Sequence, residues 1–147
     1  MKLRALVIDD SRVMRNMVME SLRRTSLAEF EFGEAQDGAE ALSKFSPKLF
    51  DIVFADWNMP NMSGIDFVRK VRAMGKTEHV PVVMVTSEKT VGKVEEALDK
   101  AGANGFISKP FTVEYMQKKL SPIIDDLAKR QEKPAGGFFS KLVGGGS

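Results

Sequence analysis

The stretch Phe50-Asp-Ile-Val-Phe-Ala-Asp-Trp-Asn58 reads as a strand that delivers an acid to its carboxyl end. Ile52, Val53, Phe54 and Ala55 are apolar without alternation. A strand of that kind is covered on both faces, as in a parallel sheet. The same signature recurs on either side. Upstream, Leu3, Ala5, Leu6, Val7 and Ile8 run into Asp9 and Asp10. Downstream, Val80 to Val85 is entered through Pro81, which suits a strand start, and runs into Thr86. Gly105, Phe106 and Ile107 form a short last strand just before Lys109. Phe30 and Phe32 alternate with acids, which marks a less buried strand.

Helical spacing fills the gaps. Met14, Met17, Val18, Ser21 and Leu22 predict a first helix over about 11–26. Asp37-Gly38 is a turn, followed by a short helix with Ala39, Leu42 and Phe45 on one face and Pro47 closing it. Ile65, Val68 and Val71 make a third helical face after a loop over Asn58 to Ser63. Val91, Val94, Ala97, Leu98 and Ala101 make a fourth, ended by a left-handed cap at Gly102. Val113, Met116, Leu120, Ile123 and Leu127 line the last helix. Pro122 lies inside that pattern; an interior proline costs about 3 kcal/mol, so a kink or local break is expected there, with the Lys118 carbonyl freed toward water.

Strands alternating with helices predict an α/β fold with a parallel sheet and right-handed crossovers. Ligands bind such sheets beyond the carboxyl ends of the strands. The residues standing there are Asp9, Asp10, Asp56, Thr86 and Lys109.

Bulk composition narrows the function classes. The 147 residues are one domain's worth, with 43% hydrophobic and 29% charged residues. A net charge of +2, with no basic stripe, argues against nucleic acid as a partner. The absence of cysteine excludes disulfides, thiolate metal sites and cysteine nucleophiles, and fits a reducing, cytoplasmic setting. No apolar run is long enough for a membrane span, and Met1–Asp10 does not read as a signal peptide. The expected division is a domain over 1–130 and a flexible Gly-rich tail over 131–147. Within the tail, Phe138, Phe139, Leu142 and Val143 are spaced for one apolar helical turn, a possible docking peptide or simply a disordered end.

Three carboxylates at neighbouring strand ends repel one another and need neutralising. A hard divalent cation suits an all-oxygen set, and Mg²⁺ uses only a few carboxylates and keeps its waters. Lys109 is the second neutraliser. A site that holds a cation and an ammonium among carboxylates can also hold a phosphoryl group. Asp56 can attack phosphorus to form an acyl phosphate. The cation, Lys109, and Thr86 or a nearby amide can then serve the three equatorial oxygens. Because a carboxylate is a weak nucleophile, the donor must be energetic, and a phosphorylated imidazole meets that need. Each feature alone has an ordinary reading: helix cap, turn residue, loop lysine. Four of them at the ends of four strands do not.

The strings VIDDSRVMR, DIVFADWNMPNMSG, VPVVMVTSE and AGANGFISKPF resemble the response-regulator receiver domains of bacterial two-component systems, over about residues 1–130. The resemblance implies a flavodoxin-like five-stranded sheet in the order 2-1-3-4-5, flanked by five helices. It implies phosphorylation of Asp56 by a histidine kinase, and Mg²⁺ held by Asp10 and Asp56 with the Asn58 backbone carbonyl, Asp9 acting through water. It makes Thr86 the switch hydroxyl and Lys109 the phosphoryl-binding lysine, joined to Pro110 by a cis bond. Asn58 and Glu88 would tune dephosphorylation. The implied output is a conformational switch, in chemotaxis, read by a protein target on the face of the fourth helix, fifth strand and fifth helix. A monomer is expected, as is a switch without turnover of an external substrate. A phosphorelay intermediate and a degenerate scaffold are the alternatives.

One position departs from the pattern. Phe106 stands where chemotaxis members of the family carry tyrosine. Phenylalanine can fill the inward space but offers no hydroxyl. Burying it favours the inward ring by roughly 1.5–3 kcal/mol, so an inward-biased resting state is expected. His79 reads as a solvated loop residue, Trp57 as a partly exposed lid, and Met14, Met17 and Met19 as first-helix packing with some share in kinase docking. A haloacid-dehalogenase-type hydrolase needs an acid two residues after the nucleophile, where Asn58 stands. A flavin carrier needs a hydroxyl-rich loop where Asp9 and Asp10 stand.

Overall fold

The computed structural model describes residues 1–87 and 91–142. Five parallel strands form one sheet: β1 (Lys2–Ile8), β2 (Glu29–Ala35), β3 (Ile52–Ala55), β4 (Val82–Thr86) and β5 (Gly105–Ser108), in the order β2-β1-β3-β4-β5. The order reverses at β1 and β3, which pair Ile8 with Ala55 and so place Asp9 and Asp56 side by side.

Period-two alternation sorts the strand residues between two apolar layers. Leu3, Ala5 and Val7 of β1 face one, packed with Val18 and Leu22 of α1 (Arg12–Arg24) and Met116, Leu120 and Ile124 of α5 (Val113–Leu142). Leu6 and Ile8 face the other, with Ala41 of α2 (Gly38–Lys44) and Phe67, Val68 and Val71 of α3 (Gly64–Ala73). The continuous apolar runs are buried on both sides, as the sequence predicts.

The short helices are pinned at their starts. Ser11 accepts from the Met14 amide, Asp37 from Glu40 and Ser63 from Asp66, each at an N-terminal cap. Glu40 reaches back to accept from the Gln36 amide at 2.7 Å, so bonds in both directions close the Asp37-Gly38 turn.

Two expectations are corrected. The fourth helix is not one α-helix: α4 (Val91–Glu95) passes into a π-helical turn over Glu96–Lys100, where the Ala101 amide donates to the Glu96 carbonyl. Gly102, at φ +90°, follows as the expected left-handed residue. No break occurs at Pro122, since α5 runs through it. Pro122 is exposed and lines the open groove beside α5, where water reaches the freed carbonyl. Ile124 is buried in the core layer under α5, and Ile123 packs half-buried against the same layer. α5 continues past Arg130 to Leu142. Gln131, Glu132 and Lys133 are good helix formers, and propagation adds a hydrogen bond per residue. Phe138, Phe139 and Leu142 therefore fall within helical backbone, while Val143 and Glu88 lie outside the described residues.

Candidate phosphoacceptor site

β1 and β3 end in register, so their next residues emerge on the same edge of the sheet. The Asp9 amide donates to Ala35 and the Asp56 amide to Ile8, which extends the ladder to the acids themselves. One carboxylate oxygen from each of Asp9, Asp10 and Asp56 lies within 4.8 Å of the others. Asp9 and Asp56 are buried, at 4% and 8% exposure, whereas Asp10 stands on the open rim.

Lys109 enters from the end of β5. Its ammonium lies 3.2 Å from Asp9 Oδ2 and 3.4 Å from Asp56 Oδ1. The Lys109 amide donates to the Thr86 carbonyl at 3.0 Å, which ties the lysine to the end of β4. The Lys109–Pro110 peptide is cis, as the resemblance implies. Thr86 is buried at 1% exposure beside this junction.

The electrostatics follow from that packing. Burial pushes the Asp56 carboxyl above the ordinary aspartate range, and the nearby Asp9 charge pushes the same way. The Lys109 ammonium and the Asn58 amide pull it back only in part. The carboxylate is thus under-neutralised, which favours an added cation. The donors are all oxygens and crowd one rim, as a hard divalent ion requires. Asp9, Asp10 and Asp56 bring those oxygens together, with Asp9 held by the Ser11 amide at 2.9 Å and by Lys109.

The response regulator receiver domain family matches residues 5–121 of the chain. The chain belongs to that family. The chemotaxis protein CheY of Pseudomonas aeruginosa is 39% identical over 123 residues, covering 84% of this chain and 97% of the relative. CheY-3 of Vibrio cholerae is 39% identical over 125 residues, covering 85% and 94%. Among solved structures, CheY4 of Vibrio cholerae superposes with a TM-score of 0.71 at 34% identity, covering 84% of this chain and 99% of that one. The receiver domain of a putative NarL from Mycobacterium tuberculosis gives 0.70 at 29% identity, covering 87% and 97%.

The receiver's site thus gathers Asp9, Asp10, Asp56, Thr86 and Lys109 at one sheet edge. Phe106 does not join them. It lies half-buried on β5, with the Lys119 ammonium 4.2 Å from its ring centroid. It lines a groove of about 630 Å³ between the π-helical turn, β5 and α5. Trp57 is not a lid: it is 6% exposed and packs into the α3 side of the core. Alternation puts it on the same face as Val53 and Ala55, in the layer that α3 covers. Met19 is core and Met14 half-buried, but Met17 is 50% exposed, next to Val13 at 73%. His79 is an exposed turn residue whose carbonyl accepts from Arg130.

Three supporting residues escape the sequence reading. Arg15 donates to the Asp9 carbonyl at 2.7 Å and to Glu34 at 2.9 Å, bracing the β1 end. Gly64 opens α3, and its amide donates to the Trp57 carbonyl. Arg72 donates to the carbonyls of Thr77, Val80 and Gly102 and to Asn104 Oδ1, joining the α3 end to the approach of β5. The signals were present in principle: an arginine one turn after the acid pair, and a Ser-Gly step at a helix start.

Proposed function

We propose that this receiver accepts a phosphoryl group from a histidine kinase on Asp56 and signals by a phosphorylation-dependent conformational switch, in chemotaxis. The observation that carries the reading is the Lys109 ammonium held between Asp9 and Asp56 at the sheet edge. An Asp56 oxygen attacks phosphorus as the bond to the donor imidazole nitrogen breaks, and the imidazole leaves with a proton. Lys109 stabilises a phosphoryl oxygen, and the Thr86 hydroxyl closes on another. Asp10, Asp56 and the Asn58 carbonyl would hold Mg²⁺, with Asp9 acting through water. When bound, that ion supplies the remaining charge neutralisation.

The protein works as a switch, with slow self-dephosphorylation tuned at Asn58 and Glu88, and does not turn over an external substrate. Thr86 and Phe106 carry the change to a downstream protein on the face built from α4, β5 and α5. The naming of CheY relatives at 39% identity supports a chemotaxis kinase as donor. A cytoplasmic monomer fits that role; among the described residues no helix is long and apolar enough to cross a membrane. The test is incubation with acetyl phosphate and Mg²⁺, followed by mass spectrometry. One labile phosphorylation is expected in the wild type and none in Asp56→Asn. An equal label on both proteins would remove Asp56 as the acceptor.

A further inference from the structure

We infer that Lys119 is an electrostatic latch that holds the Phe106 ring in the resting position. The inference rests on the switch reading just given. A phenylalanine at this place has an unbalanced preference: turning inward buries more ring, and no hydroxyl anchors it outside. Something must oppose that preference if the resting and activated states are to differ. The only cation over its ring among the described residues is Lys119, 4.2 Å from the centroid. That is well inside the range of a cation–π attraction.

The contact is placed where it can act. Phe106 pairs with Met84 on β4, two residues short of the Thr86–Ser108 pair. One side of the ring packs against the α3-side core, and another opens on the groove with Leu98, Tyr115 and Ile123. Lys119 sits on α5 and lines that groove, half-buried, with its ammonium over the ring. An inward turn toward Thr86 takes the ring away from the ammonium and forfeits the attraction. The latch thus does with a lysine on the neighbouring helix what a ring hydroxyl would do on the aromatic itself. Its strength at a partly exposed site corresponds to about a two- to fivefold change in the inward-to-outward ratio.

The test is NMR on protein with ¹³C-labelled phenylalanine, reading contacts of the Phe106 ring protons with the Lys119 methylenes and with the Thr86 methyl. Wild type, Lys119→Met and Lys119→Arg are compared without and with beryllofluoride and Mg²⁺. In the absence of beryllofluoride, Lys119→Met should shift the ratio toward Thr86 by about two- to fivefold, and Lys119→Arg should retain the wild-type ratio. Beryllofluoride should move the ring toward Thr86 in all three. If the wild-type ring responds to beryllofluoride but Lys119→Met matches wild type without it, the latch is wrong and the switch stands. If the wild-type ring does not respond at all, the switch role of Phe106 fails and the latch falls with it.

Discussion

A Cβ built on Gly64 would strike the backbone carbonyl of Asp56 and the methyl of Met84. The first turn of α3 therefore lies directly under Asp56, and only a hydrogen fits between them. Gly64→Ala should push the Asp56–Trp57 segment away from Lys109. The expected result is a loss of about 1–3 kcal/mol of stability by urea denaturation, with acetyl-phosphate labelling reduced even in the protein that remains folded. Unchanged labelling would show that the loop tolerates the displacement.

Asp56 should also govern the pH dependence of stability in the metal-free protein. Its carboxyl is raised by burial, so the folded state binds this proton more tightly than the unfolded state. Stability is then greatest below the ordinary aspartate range, falls as pH rises through the shifted value, and stays lower above it. Asp56→Asn removes that penalty. Its melting temperature should exceed that of wild type at neutral pH in EDTA, and the gap should close on acidification. A gap that widens in acid would reverse the sign assigned to Asp56.

Lys109→Met leaves two buried carboxylates, Asp9 and Asp56, without their shared cation. Labelling by acetyl phosphate should fall by about 10²- to 10³-fold, the usual cost of removing one preorganised charge-stabilising donor. The residual rate should depend more steeply on Mg²⁺ concentration, because the ion alone then neutralises the acids. Rate measurements across a Mg²⁺ series in both proteins check this.

Trp57 is the only tryptophan, buried one residue beyond Asp56. Its emission should change on addition of Mg²⁺, and the change should be lost in Asp10→Asn and Asp56→Asn. Because the ring is enclosed, acrylamide should quench it weakly in all states. Strong quenching would place the ring at the surface.

Arg72→Met should destabilise the fold by roughly 2–3 kcal/mol, since it strips donors from the Thr77, Val80 and Gly102 carbonyls and from Asn104. Hydrogen exchange should quicken most at the start of β5, with little change at Asp9. Uniform quickening would mean that Arg72 is not a local tie.

The legible parts of this molecule are those written as local pattern. The runs ending at Ile8, Ala55 and Thr86 announce buried strands, and the residues after them announce the site. Residues that act across long separations were harder to see. Arg72 looks like any last-turn cation of α3, and its partners become apparent only when Asn104 is brought beside it. Trp57 was misread because its polar neighbours suggest a surface, while alternation after Asp56 turns it inward. Pro122 and the π-helical turn failed for another reason: propensity is a local preference, and tertiary packing overrides it where solvent or a neighbouring element absorbs the cost. Phe106 falls on β5 as its pattern indicates, but the cation above its ring belongs to a different element.

Lys109 lies 100 residues from Asp9 and 53 from Asp56 along the chain. A polypeptide still emerging from the ribosome carries both acids long before it carries the ammonium that faces them. Until β5 zips onto the sheet, the two acids lack the ammonium that faces them, so the site proposed to take the phosphoryl group is complete only when nearly the whole domain has been made and folded.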